Sequence, residues 1–183
     1  MACVPLIAST VLPGGAVAAG SLLSAAGLSG LAGAPLGGYL CDRCGARFTA
    51  VASGCAAGTG LMLVPLVLAL PSNEAIEAAV GPAPNGFAFG ALVLLWSIAV
   101  AAQGPALTAV GQELAPPGAE ATALALPRAI GDAAYIGAPL LLGLVADSTA
   151  QMGVECAVAG AASLAGALAL ACLGTWSPTS LED

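Results

Sequence analysis

The sequence predicts an all-α membrane protein, a polytopic helical bundle with about five full transmembrane helices and one partial helix. Three observations carry this. Apolar residues make up 59% of the 183 residues and charged residues 7%, with no His and no Lys, which is too little polar surface to cover a soluble globule. Residues 1–41 carry no charge, and charge-free runs recur over 48–70 and 87–112, each at or above the roughly 20 apolar residues that cross a bilayer as a helix. The segments between the runs are short and rich in Pro, Gly and acids, the composition of turns at a membrane surface.

Residues 1–41 are too long for one span, and Pro13-Gly14-Gly15 is the natural break, since Pro removes a helix donor and paired Gly loosen the backbone. That leaves residues 1–12 as a partial span, because ten or so helical residues rise only about 15 Å, half the hydrocarbon thickness. The first full span runs over 16–40, with Gly20, Gly27, Gly30, Gly33, Gly37 and Gly38 suited to close helix packing. The second covers 48–70, with Gly54 and Gly58 at small-xxx-small spacing. Residues 71–86 read as a surface loop. The third span, 87–112, is interrupted by Gly104-Pro105, a step that predicts a kink. Residues 113–120 hold two prolines, a glycine and two acids and form a turn. The fourth span, 121–146, carries Arg128 and Asp132, four residues apart and so on one helical face. Charges at the bilayer centre cost about 2.5–3.5 kcal/mol each, so the two are expected toward the inner third, paired with each other or a neighbour. After a loop at 147–153, the last span runs over 154–176 to an interfacial Trp176, and 177–183 form a cytoplasmic tail.

Arg43, Arg47 and Arg128 are the only bases. The first two mark one loop as cytoplasmic, and two crossings later Arg128 falls on the same side, while the loops at 71–86 and 147–153 have no basic residue. Three Arg make no basic patch, so nucleic acid is not an expected partner; the lipid bilayer is. Cys3, Cys55, Cys156 and Cys172 lie in apolar runs, where Cys acts as a small hydrophobe. Cys41 and Cys44 form a Cys-x-x-Cys, but no second pair at ligand spacing and no His accompany it, so neither a metal nor another cofactor is expected. With no Ser/His/Asp arrangement and no phosphate-binding loop, the sequence does not read as an enzyme. Glu155 and Asp147 are expected at a membrane edge, solvated.

Around the first charges the chain reads Gly38-x-x-x-Asp42-Arg43-x-Gly45-x-Arg47. This resembles the loop signature of the major facilitator superfamily, Gly-x-x-x-Asp-Arg-x-Gly-basic-basic, with Ala46 in place of one basic residue. A second similarity spans Gly104-Pro105, Glu113 to Pro117, Thr122 to Leu124, Arg128-x-x-Gly131-Asp132 and Pro139 to Asp147, which look like the tenth and eleventh helices of such carriers. Glu120-Ala121 and Pro127 depart from that pattern, where an Arg-Gly pair and an aromatic are usual. The resemblance implies half of a major facilitator fold. Because the halves are internal repeats, either half is open; the Gly131-Asp132 and Asp147 pattern favours the second, with its first helix truncated.

What the resemblance implies about function follows residue by residue. Gly38, Asp42, Arg43, Gly45 and Arg47 would form a conformational latch, Asp42 accepting hydrogen bonds from the exposed amides at another helix's N-terminus. The simpler reading is that Asp42 and Arg43 stop a helix from sliding into the membrane. Arg128 and Asp132 would be an inner-gate charge pair. Ser21, Ser24, Ser97, Gln103 and Tyr135 are candidate cavity-lining groups, although for each the preferred reading is a small or polar residue satisfied within helix packing. The expected function is transport of a small solute by alternating access, of an efflux type, with the missing N-terminal half of the carrier as partner. The alternative is a non-transporting truncated half-carrier or membrane scaffold that packs with another chain.

Overall fold

The computed structural model describes residues 3–12, 14–70, 84–149, 151 and 153–173. These form six helices in sequence: α1 (Cys3–Val11), α2 (Gly15–Cys44), α3 (Ala46–Ala69), α4 (Pro84–Leu114), α5 (Glu120–Thr149) and α6 (Val154–Leu173). No strand occurs among the described residues, and the five helices after α1 are each long and apolar enough to cross a membrane. The chain is an all-α membrane bundle. The helix α1, at nine residues, rises only about 13 Å.

Most spans are longer than their apolar runs. The Asp42-Arg43 pair does not leave the helix: α2 continues to Cys44, a single residue, Gly45, intervenes, and α3 begins at Ala46. Charged residues do not break a helix, whereas Gly45 at φ 91° takes a conformation that side chains rarely adopt. Its N–H donates to the Cys41 carbonyl at 2.9 Å, and its own carbonyl accepts from both the N–H and the hydroxyl of Thr49, at 3.1 and 3.0 Å. The expected loop at 41–47 is therefore a one-residue corner. Likewise α4 starts at Pro84, inside the expected loop, and α5 runs on through Asp147 to Thr149. Residues 71–83 and the expected end of the last span, with Trp176 and the tail, lie outside the described residues.

The helix α4 is the centre of the bundle, packed along α2 on one side and α3 on the other, while α6 covers the far side of α3. Backbones approach because the residues between them are small. Along α2 the buried positions are Ala19, Ala26, Gly33 and Gly37; a Cβ on Gly33 would stand 2.6 Å from the Ile98 carbonyl oxygen of α4, and Gly37 is held as closely against Ala102. Between α3 and α6, Gly54 meets Ala167, Gly58 meets Gly160 and Leu164, and Gly153 meets Pro65. As numbers rise on α3 they fall on α6, so these two helices are antiparallel. Contact through small residues is how helices associate where hydrophobic burial offers little drive.

The larger apolar side chains gather at one end of the bundle. Val4, Ile7 and Ala8 of α1 pack with Ala19 and Ala26 of α2, Val64 of α3, Phe89 and Val93 of α4 and Cys156 of α6. This end, away from Arg43, is closed by α1. The helix α5 is the exception to the whole arrangement. Its main contacts are with α4 and α6 and are sparse beside those of α4 with α2 and α3 or of α3 with α6, and none of its described side chains is buried.

Candidate functional site

The Asp42 corner stands at the end of the bundle opposite the apolar cluster. Asp42, Arg43 and Cys44 are exposed on the last turn of α2, and Arg47 is half-buried on the first turn of α3. The Arg43 guanidinium lies over the Tyr39 ring, 5.3 Å from its centroid, one turn back on the same helix; the cation also suits the negative end of the α2 dipole. Asp42 has no such compensation. A carboxylate in the last turn of a helix is disfavoured by the dipole, the first turn of α3 has no side-chain cap, and Asp42 makes no hydrogen bond or ion pair among the described residues. Neither helix of the corner needs this acid for its own stability. Around Gly38 there is open space, with nothing within 4 Å of where a Cβ would stand.

At the same end a cleft of about 610 Å³ opens between α4 and α5, lined by Gly104, Thr108 and Gly111 on one side and Ala121, Leu124 and Arg128 on the other. The small residues of α4 make the room, and the Thr108 hydroxyl is turned back onto the Gly104 carbonyl at 2.9 Å. The turn before α5 is fastened by the Glu120 carboxylate, which accepts from the Gly118 N–H at 3.1 Å. Arg128 is thus the charged group of the cleft.

The expected pairing of Arg128 with Asp132 is not formed among the described residues. Both are exposed, and on a helix with so few neighbours nothing holds their side chains together. The candidate cavity residues are not gathered around one space either. Ser97 is half-buried and donates to the Ala26 carbonyl at 2.6 Å, tying α4 to α2. Gln103 points to the other side of α4, where its Nε2 would lie 3.1 Å from a Cβ on Gly54 of α3. Tyr135 is 71% exposed on α5. Ser21 and Ser24 are exposed on α2 and donate to carbonyls of their own helix, Ala18 and Gly20, at 2.8 and 3.0 Å. Cys41 and Cys44 are free thiols.

The residue that sequence reasoning misplaced is Glu155. Expected at a solvated membrane edge, it is only 5% exposed in the first turn of α6, and its Oε2 is buried with no hydrogen-bond partner. Burial here follows from α6 being drawn onto α3 by Gly153 and Gly160. The first-turn amides of Cys156 and Ala157 are already bonded to the Gly153 carbonyl. A lone Glu beside an otherwise apolar run, two residues after a Gly, was the signal available in the sequence. No protein-family model matches the chain, and no curated protein or solved structure matches it.

Proposed function

We propose that the chain is the second half-bundle of a major facilitator-type carrier that moves a small solute by alternating access. The observation that carries this reading is the Asp42 corner. It joins two antiparallel spans by one glycine, and it presents an acid that stabilises neither of them. In the proposed role the Asp42 carboxylate accepts hydrogen bonds from the free amides at the N-terminus of a helix in the other half. Gly38 gives that helix room to approach, and Arg43 and Arg47 fix this end on the cytoplasmic side. Breaking and remaking the contact accompanies the rocking of one half against the other.

The α4–α5 cleft and the unburied faces of α5 fit the same role, since a half-bundle needs a surface on which the other half closes. Arg128 and Asp132 then stand at the cytoplasmic mouth, where each meets a partner across the interface rather than its neighbour on the helix.

The test is the size and company of the native polypeptide, read by an antibody to this chain in native membranes. A product longer by roughly 200 residues, which is six more spans of about 20 residues with loops, or a co-purifying six-span chain, supports the carrier. A lone 17.3 kDa product with no six-span partner removes it and leaves a non-transporting scaffold.

A further inference from the structure

We propose that the exposed face of α5 carrying Arg128 and Asp132 docks against the same face of a second copy of this chain. The proposal rests on the half-bundle reading above, in which α5 meets another bundle, and it names that bundle.

Depth is the first observation. The acids Glu120 and Asp147 lie near the two ends of α5, which has 30 residues and so rises about 45 Å, against a hydrocarbon thickness of about 30 Å. Counted from Glu120, Arg128 stands about 12 Å along the axis and Asp132 about 18 Å. With the helix centred in the membrane, both lie within the hydrocarbon, on the half toward the Arg43 corner, and both are exposed. Arg128 borders the α4–α5 cleft, whereas Asp132 does not line it. Lipid tails offer neither group a partner.

The chain itself has little to offer them. Its bases are Arg43, Arg47 and Arg128, and α4 and α6, the helices on which α5 chiefly packs, carry none. Arg128 and Asp132 do not pair with each other among the described residues, nor does Arg128 pair with Glu113, the exposed acid at the end of α4. The base precedes the acid on α5, the weaker order for a pair four residues apart on one helix. Asp132 is therefore left for a base that another chain supplies, and Arg128 for an acid.

A second copy supplies both at the right heights. Copies inserted the same way up place their α5 helices parallel, and a two-fold axis along the membrane normal sets each Arg128 one helical turn from the partner's Asp132. Both charges of each copy are matched and none is left over. A foreign helix would need an acid and a base at matching depths; this chain carries them already. The rest of the face suits close approach. Tyr135, Pro139 and Gly143 follow Arg128 and Asp132 at steps of three and four residues, hence on one side of the helix. Tyr135 is 71% exposed, and nothing stands within 4 Å of where a Cβ on Gly143 would be; small residues let helices in a membrane come together.

The test is cross-linking in lipid vesicles, with native Cys replaced by Ala and Tyr135→Cys treated with a short bifunctional thiol reagent. The expected product runs at twice the 17.3 kDa of the chain, while Val17→Cys, exposed on α2, gives only the background of chance collisions. Arg128→Asp and Asp132→Arg, each added to Tyr135→Cys, lose the product, because one sets acids and the other bases against each other. Co-expression of the two restores it, since each copy then carries what the other lacks. Should Asp132→Arg fail to insert, Arg128→Ala combined with Asp132→Ala removes both charges and loses the product instead. A yield from Tyr135→Cys no greater than from Val17→Cys, or one that survives the charge variants, overturns the proposal. Transport keeps the two readings apart: a longer native carrier with no α5-to-α5 product leaves the carrier and removes the dimer, whereas a cross-linked chain that moves no solute leaves the dimer and removes the carrier.

Discussion

Gly58 and Gly160 face each other backbone to backbone: a Cβ on Gly58 would stand 2.8 Å from the Gly160 carbonyl oxygen, and one on Gly160 2.6 Å from that of Gly58. The side chains of Leu164 and Met62 crowd the same points, but no rotamer relieves the clash with the two carbonyl oxygens, because these are main chain. Gly160→Val and Gly58→Val are each expected to destabilise the bundle by about 1–3 kcal/mol, the usual cost of overpacking. Since both push the same two helices apart, the double variant should lose less than the sum of the singles. Unfolding in mixed detergent micelles measures all three; strict additivity would show that the helices are not pressed together at this pair.

A second prediction separates polar fastening from packing. The Ser97 hydroxyl crosses from α4 to the Ala26 carbonyl of α2 at 2.6 Å, and the Ser163 hydroxyl crosses from α6 to the Gly54 carbonyl of α3 at 3.1 Å. Ser97→Ala and Ser163→Ala are each expected to cost about 0.6 kcal/mol, the average for interhelical bonds in membranes. The same unfolding assay checks both, and Ser21→Ala, whose hydroxyl stays within its own helix, should change nothing measurable.

The one-residue corner gives a third. Gly45 has φ 91° and ψ 149° and open space where a Cβ would stand, so Gly45→Ala meets no clash and only backbone strain, about 1–3 kcal/mol for a φ/ψ region that is essentially glycine's alone. Asp42→Asn has no partner to lose among the described residues and removes a charge that the α2 dipole disfavours, so it should keep or slightly raise stability. On the proposed function, Asp42→Asn lowers transport by the assembled carrier while Gly45→Ala acts mainly through the fold. Transport rate and unfolding measured on the same preparations separate the two.

Accessibility supplies a fourth. In a background with native Cys replaced by Ala, Thr108→Cys stands exposed at the Arg128 cleft, whereas Ser53→Cys is buried on α3. Thr108→Cys should react with a charged, membrane-impermeant thiol reagent from the side bearing Arg43, and Ser53→Cys from neither side. Labelling of Thr108→Cys only from the side opposite Arg43 would overturn the placement of the cleft and the Asp42 corner at one end of the bundle.

The bundle itself was legible in the sequence, because long uncharged runs leave a helix as the only way to satisfy the backbone in a membrane. Of the glycines read as packing residues, Gly30, Gly33 and Gly37 of α2 and Gly54 and Gly58 of α3 do press against neighbouring helices, whereas Gly20, Gly27 and Gly38 face open space. Helix ends were not legible: Asp42, Arg43 and Asp147 lie outside the apolar runs yet continue their helices, since charge says where the membrane stops and not where the hydrogen-bond ladder does. Ser97 and Gln103 share one helix and one composition, and only the positions of α2 and α3 reveal that they point to opposite sides of it. Glu155 was misjudged because position along the chain placed it at an edge, while its burial depends on a neighbour, α3, far away in sequence.

That last separation bears on how the protein is made. The hydroxyl of Ser163 meets the carbonyl of Gly54 across 109 residues, and the neighbours of Gly58 are all on α6, so α3 enters the membrane with the Gly58 side of its glycine face bare and keeps it bare while α4 and α5 are synthesised. The face is covered only when α6, the last helix described, arrives. Any polypeptide that stops short of α6 presents that uncovered stripe to whatever surveys membrane proteins for unfinished ones.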